Sequence, residues 1–375
     1  MNRIIKISVI CLALIAIFTL SVNAQEADEI RDASGAENLS GNLPYEVQDS
    51  LKGIGVDTTD FSSISDLSFA DLVSQLGESA IKEVKGVVPS LCTVLAVLLL
   101  YSIFNGVFDS VSNPSLSSVL SLVSALCLGC VFLIPVTDLI KTADKTIQLS
   151  ADFMLAFIPV MTAVLISAGN TITGSGYCAM MVVAAEAVGQ LFSKIVSPLL
   201  NCFLALGIST SLVPEIRISG FLNFFSKTVK WIMSFAFTLF SALLGLKSLY
   251  SSSVDNVSSR AVKYTMSSFI PVVGGALSEA YKTVHGSIGV LKSGVGVFAI
   301  IAIVMVFLPL IIKLCAWLFT INICKCFCET ASLQSPDVLL SSISTVLSLL
   351  MSVVFCVVAL FVITTALIIT IGGGQ

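Results

Sequence analysis

Cys324, Cys326 and Cys328 form the densest cluster of nucleophilic or metal-ligating side chains in this 375-residue chain. Thiolates can hold zinc, but a closed zinc site needs a fourth ligand and usually pairs two Cys-x-x-Cys units. No second cluster accompanies this one, so the segment reads as free thiols at an interface. The remaining cysteines fall largely in apolar runs, at Cys92, Cys127, Cys130, Cys178, Cys202, Cys315 and Cys356. There cysteine behaves as a small hydrophobe. A single histidine, His285, excludes catalysis by a histidine pair and metal sites of several histidines. Gly289-Val290-Leu291-Lys292-Ser293-Gly294 contains Lys-Ser but lacks the glycine spacing of a phosphate-binding loop. Neither a Gly-x-Ser-x-Gly elbow, a zincin helix nor an EF-hand occurs. The expectation is a chain with no catalytic residues, metal or cofactor, whose energy, if any is used, comes from a partner.

Two charges stand inside apolar runs. Glu186 lies in Met180-Met181-Val182-Val183-Ala184-Ala185-Glu186-Ala187-Val188, and Lys313 lies within 295–320. Each costs a few kcal/mol at the centre of a bilayer. Both are therefore expected to face water or a bundle interior. They could pair with each other, carry a transport role, or make structural hydrogen bonds between helices.

A third feature is backbone irregularity. The connection 251–294 contains Ile270-Pro271-Val272-Val273-Gly274-Gly275, and the glycines Gly286, Gly289, Gly294 and Gly296 follow. Pro271 removes a donor, and Gly274 and Gly275 permit unusual angles. One reading is a re-entrant or broken helix lining a pathway, since irregular backbone at membrane depth must be buried by protein or water. The other is an amphipathic connection at the membrane surface. Phe157-Ile158-Pro159-Val160 echoes Phe269-Ile270-Pro271-Val272. Paired breaks of this kind would suit an internal repeat, although a tetrapeptide match is weak in so biased a composition.

The elements that position these residues follow from composition. Hydrophobic residues make up 56% of the chain and charged residues only 11%, against about 25% charged in soluble domains. Mean hydropathy is +1.02. These values exclude a water-soluble enzyme, a disordered chain and a nucleic-acid binder, and indicate an all-α, polytopic membrane protein. Arg3 and Lys6, the apolar run 7–20 and Val22-Asn23-Ala24 predict a cleavable signal peptide over 1–24. Residues 25–86 form a short acidic extracytoplasmic segment, ending in an amphipathic helix over 68–85. The multispan body is 87–375. Apolar runs at 87–108, 116–140, 153–168, 177–196, 231–250, 295–320 and 338–371 predict seven spans. The shorter run 198–213 could span, re-enter or continue its predecessor, so the expected count is seven or eight. Seven spans place Lys247, Arg260, Lys263, Lys282 and Lys292 in the cytoplasm, as the positive-inside rule prefers.

The stretch Arg260-Ala261-Val262-Lys263, then Phe269-Ile270-Pro271-Val272-Val273-Gly274, then Leu291-Lys292 and Val295-Gly296 resembles the signature region of the stage III sporulation protein AE family. Leu43-Pro44-Tyr45-Glu46-Val47 looks like the early segment of that family. The resemblance implies a non-enzymatic subunit, scaffold or conduit, of a secretion-like channel between mother cell and forespore. It implies a place in the mother-cell membrane around the forespore and support for late forespore gene expression. Its implied partners are other stage III sporulation membrane proteins, a separate cytoplasmic ATPase and a forespore-side protein. The contrasting expectation, read from Glu186 and the broken segments, is a self-sufficient permease for a small solute.

Overall fold

The structure is a computed structural model that describes residues 39, 41, 43–53, 69–111, 114–167, 171–212, 220, 223–240, 242, 274–331 and 333–370. The signal peptide and Arg260, Lys263, Ile270, Pro271, Val272 and Val273 lie outside the described residues. Every extended element among those described is helical, as the lack of backbone partners in lipid requires. In chain order they are α1 (Tyr45–Gly53), α2 (Phe69–Val111), α3 (Pro114–Ser167), α4 (Thr171–Leu191), α5 (Ser197–Leu212), α6 (223–240), α7 (Gly274–Thr330) and α8 (Gln334–Thr370).

The core is the α7–α8 hairpin. Both helices are apolar around most of their circumference, which is the pattern of a helix buried on all sides. Phe298, Ala302, Phe307, Leu314 and Ile321 of α7 are fully enclosed, as are Leu340, Ile343, Leu347, Leu350 and Phe361 of α8. A tight turn joins them: Leu333 N–H donates to the Cys328 carbonyl at 2.9 Å and Ala331 N–H to the Phe327 carbonyl at 2.9 Å. These bonds satisfy carbonyls left over at the helix end. Helices α2, α3 and α5 pack against this hairpin, and α4 packs along α3. Two glycines allow close approach. A Cβ on Gly296 would overlap the Ile369 side chain of α8. A Cβ on Gly207 of α5 would lie 2.6 Å from Ser342 Cβ of α8.

Among the described residues, five helices are long and apolar enough to cross a membrane, within 83–104, 122–167, 174–211, 292–330 and 335–369. The expected run 231–250 ends outside the described residues, and two of the other expected runs combine with neighbours. The runs 116–140 and 153–168 belong to one 54-residue helix, α3, without a break. A continuous helix carries the chain one way, so two apolar runs within it make one crossing. The run 198–213 continues its predecessor through a π-helical turn, Phe192–Val196. Pro198 explains the widened turn, because it has no N–H for the Lys194 carbonyl. The Ser197 N–H bonds the Phe192 carbonyl instead. The amphipathic stretch expected over 68–85 is not a separate helix but the first half of α2.

Of the expected broken segment, residues 251–273, with Pro271, lie outside the described residues. Gly274 and Gly275 open α7, which runs unbroken through Gly286, Gly289, Gly294 and Gly296 to Thr330. Glycine here serves helix contact rather than interruption: Gly296 faces α8. Ahead of the bundle, α1 packs on α7 and α2. Leu39, Leu43, Val47 and Leu51 are buried, while Tyr45 is 81% exposed. Pro44 starts α1, its carbonyl accepting from Val47 N–H at 2.9 Å and Gln48 N–H at 3.0 Å. The Gln48 side-chain amide donates to the Leu43 carbonyl at 2.8 Å, closing the turn.

Candidate functional site

The middle of α3 interrupts its own hydrophobicity. Asp138, Lys141, Asp144, Lys145, Gln148 and Asp152 recur at helical spacing and leave the apolar face to the core. Ile140, Ala143, Ile147 and Ala151 fill that face and are buried. Thr142, Thr146 and Ser150 lie between the two faces. Their hydroxyls donate to the carbonyls of Asp138, Thr142 and Thr146, each at 2.8 Å. Such back-bonding satisfies hydroxyls that would otherwise be orphaned against an apolar neighbour.

The antiparallel hairpin of α3 with α4 and α5 extends this stripe onto a second helix. A Cβ on Gly189 would touch Ala151 Cβ at 3.9 Å, and Gly129 faces Ile208 in the same register. Ser193 Oγ in the π-helical turn donates to Asp144 Oδ2 at 3.5 Å. Gln148 Nε2 donates to the other oxygen of the same carboxylate at 3.2 Å. Asp144 therefore ties two turns of α3 to the π turn. Lys194, Gln190 and Glu186 follow at the levels of Asp144, Gln148 and Asp152, all exposed.

Helix α7 contributes Lys313, whose Nζ is 3.8 Å from Asp138 Oδ2. The two side chains are 33% and 63% exposed, so the pair is worth at most about 1 kcal/mol. Below it Phe132 and Trp317 meet edge to face at 6.2 Å between centroids. The result is a belt of four carboxylates (Asp138, Asp144, Asp152, Glu186) and four ammonium groups (Lys141, Lys145, Lys194, Lys313), formally neutral.

The expected partnership of Glu186 with Lys313 is not observed. Lys313 pairs with Asp138, and Glu186 is level with the far end of the belt, roughly 20 Å along the bundle at 1.5 Å per residue. Glu186 points out of the bundle rather than into it. Asp138, Asp144 and Ser193 were not among the residues expected from sequence. The signal for them was present in the i, i+3, i+4 recurrence of charge between two apolar runs, which reads equally well as a loop.

Pro159 lies exposed inside α3, flanked by the buried Phe157, Ile158 and Val160. Lys292 is buried in the first turns of the α7 span, only 4% exposed, four residues before Gly296. The cysteine trio does not converge. On a helix, positions two apart point to opposite sides, so Cys324 and Cys328 are buried together while Cys326 is exposed. Among the described residues no group of three or more His, Cys, Asp or Glu side chains could hold a metal ion. Asp337 Oδ1, at the start of α8, is buried without a hydrogen-bond partner. A cavity of ≈ 220 Å³ lies between α6 and α8, lined by Met233, Phe237, Leu349, Val353 and Cys356 among others. Its walls are mostly apolar side chains.

Comparison with known proteins gives a consistent picture. The family described as Stage III sporulation protein AE matches residues 58–372. A curated relative, Stage III sporulation protein AE of Bacillus subtilis (strain 168), is 23% identical over 217 residues, which cover 57% of this chain and 54% of the relative. The matched part thus spans about half the length of that curated relative. No solved structure matches.

Proposed function

The chain belongs to the stage III sporulation protein AE family, and we propose that it serves as a non-enzymatic membrane subunit, scaffold or conduit, of a secretion-like channel linking mother cell and forespore. The observation that carries the reading is the outward-facing belt. An otherwise apolar bundle places eight charged side chains on its flank, where only water, headgroups or partner proteins can meet them. A self-sufficient permease would instead concentrate its charge inside the bundle, and Glu186 points the other way. In this reading the chain resides in the mother-cell membrane around the forespore, with other stage III sporulation membrane proteins beside it. A separate cytoplasmic ATPase supplies energy, a forespore-side protein completes the passage, and the assembly supports late forespore gene expression.

The test is purification of the native assembly from sporulating cells, beside reconstitution of the chain alone into proteoliposomes. The expected outcome is co-purification of several membrane proteins, with no solute uptake by the chain alone. Robust uptake by the isolated chain would replace this reading with the permease.

A further inference from the structure

Helix α6 has two unlike faces. Val229, Met233, Phe237 and Phe240 recur at helical spacing and pack on the core. Phe224, Trp231, Phe235 and Leu239 stand on the opposite side, between 49% and 67% exposed. Trp231 and Phe235 stack there at 5.5 Å between ring centroids. An outer face this apolar is a liability in water and suits contact with lipid. Lys227, Lys230 and Ser234 share one flank between the two faces, as 100° per residue requires.

That flank borders α8 across the cavity of ≈ 220 Å³. The floor of the cavity is Val229, Met233 and Phe237 from α6 with Leu349 and Val353 from α8. Val229, Leu349 and Val353 are almost fully buried. The rim is Lys230, Ser234 and Ser352, all exposed. The Ser352 hydroxyl donates to the Ser348 carbonyl at 2.8 Å, so it is satisfied without a partner in the cavity. By volume the space would hold about seven waters at about 30 Å³ each. A buried water needs two to four polar partners, and the side chains of the floor offer none. The space therefore favours an apolar filler, which restores the dispersion contacts that a void forfeits. Residues 229–237 rise about 12 Å, close to the ~15 Å of hydrocarbon in one leaflet.

The charge at this site has one sign. Lys230 stands at the rim, and Lys227 lies one turn before it on the same flank, also exposed. No carboxylate lines the cavity, and α6 carries none over 223–240. The acid of α8, Asp337, is about 18 Å along the helix from Leu349. We propose that the α6–α8 groove is a binding site for one phospholipid with an anionic headgroup. An acyl chain lies over Val229, Met233, Phe237, Leu349 and Val353, and Lys227 and Lys230 hold the headgroup phosphate. Basic clefts between membrane helices take anionic headgroups in this way. A zwitterionic lipid also brings a phosphate, but its own cation then meets two ammonium groups, which sets the preference for net negative charge.

The experiment uses the full chain in dodecyl maltoside micelles, titrated with phosphatidylglycerol or with phosphatidylcholine of the same acyl chains, and read by native mass spectrometry. The first phosphatidylglycerol is expected to bind at least fivefold more tightly than the first phosphatidylcholine. Lys227→Gln with Lys230→Gln should remove that preference. Lys52→Gln with Lys85→Gln, exposed cations on other helices, should keep it. Ser234→Phe, which fills the groove from its exposed rim, should weaken both lipids at least threefold. Cys356 lines the groove and reports its occupancy. With the other cysteines replaced, saturating phosphatidylglycerol should slow alkylation of Cys356 by N-ethylmaleimide at least threefold. Equal affinity for the two lipids, or a preference that survives loss of Lys227 and Lys230, would overturn the proposal. So would a preference lost equally in the Lys52 and Lys85 control, unchanged binding to Ser234→Phe, or an alkylation rate that phosphatidylglycerol leaves unaltered.

Discussion

Gly207→Ala adds one methyl group where α5 meets α8. That Cβ would lie 2.6 Å from Ser342 Cβ and 3.2 Å from Ser342 Oγ, with Ser342 Cα at 3.9 Å. Ordinary contact begins near 3.4 Å, so the shortfall is about 0.8 Å. Ser342 Cβ is attached directly to the backbone and cannot rotate away, so the helices must separate. Overpacking of this kind costs about 1–3 kcal/mol. The gain in helix propensity from Gly to Ala returns up to about 1 kcal/mol. With the full return the expected net loss is about 0–2 kcal/mol, so that Gly207→Ala falls about 1–3 kcal/mol below a Gly→Ala change made in open space. Gly86→Ala in α2 is the control, since nothing lies within 4 Å of its Cβ. It should be neutral or stabilising by up to about 1 kcal/mol. The assay is reversible unfolding in mixed micelles, followed by helical circular dichroism. Ser342→Gly in the Gly207→Ala background should recover part of the loss, giving a favourable coupling in a double-mutant cycle. A Gly207→Ala protein as stable as Gly86→Ala, or no coupling to Ser342, would refute the close approach of these helices.

Further expectations follow from the belt and the thiols. Asp138→Asn and Lys313→Met should couple by less than about 1 kcal/mol in a double-mutant cycle, because both side chains are partly exposed; stronger coupling would mean a desolvated pair. Glu186→Gln should change stability by no more than about 0.5 kcal/mol, as for other exposed positions, read from the same unfolding curves. In folded protein, Cys326 should react with a maleimide well before Cys324 and Cys328, which are buried; mass spectrometry of quenched time points decides this, and equal rates would contradict the turn geometry.

The helical, membrane character of the chain was legible in its composition, because a low charge content leaves no means of making a soluble surface. The joining of the runs 116–140 and 153–168 into one helix was not. Hydropathy reports where side chains prefer to be, whereas Asp138–Asp152 is polar along one face only and remains helical through Ile140, Ala143 and Ile147 on the other. A loop and a half-polar helix have nearly the same local composition. Gly294 and Gly296 read as interruptions for a related reason. The permissiveness that breaks an isolated helix also lets a packed one approach its neighbour, and the contact with Ile369 decides between these outcomes only in three dimensions. Lys313 was recognisable as a charge needing a partner, but Asp138 is 175 positions away and no local pattern connects them.

The placement of the core has a bearing on biosynthesis. The most deeply enclosed helices, α7 and α8, leave the ribosome after the other described helices. Until they arrive, Phe132, Phe153, Phe157 and Leu200 have no finished cavity to enter, although the helices that carry them have already been synthesised. The earlier helices must therefore wait in the bilayer, or under the protection of an insertion factor, for the hairpin that closes the bundle. A message truncated between α5 and α7 would yield a product with an exposed seam, the kind of surface that membrane quality-control proteases recognise.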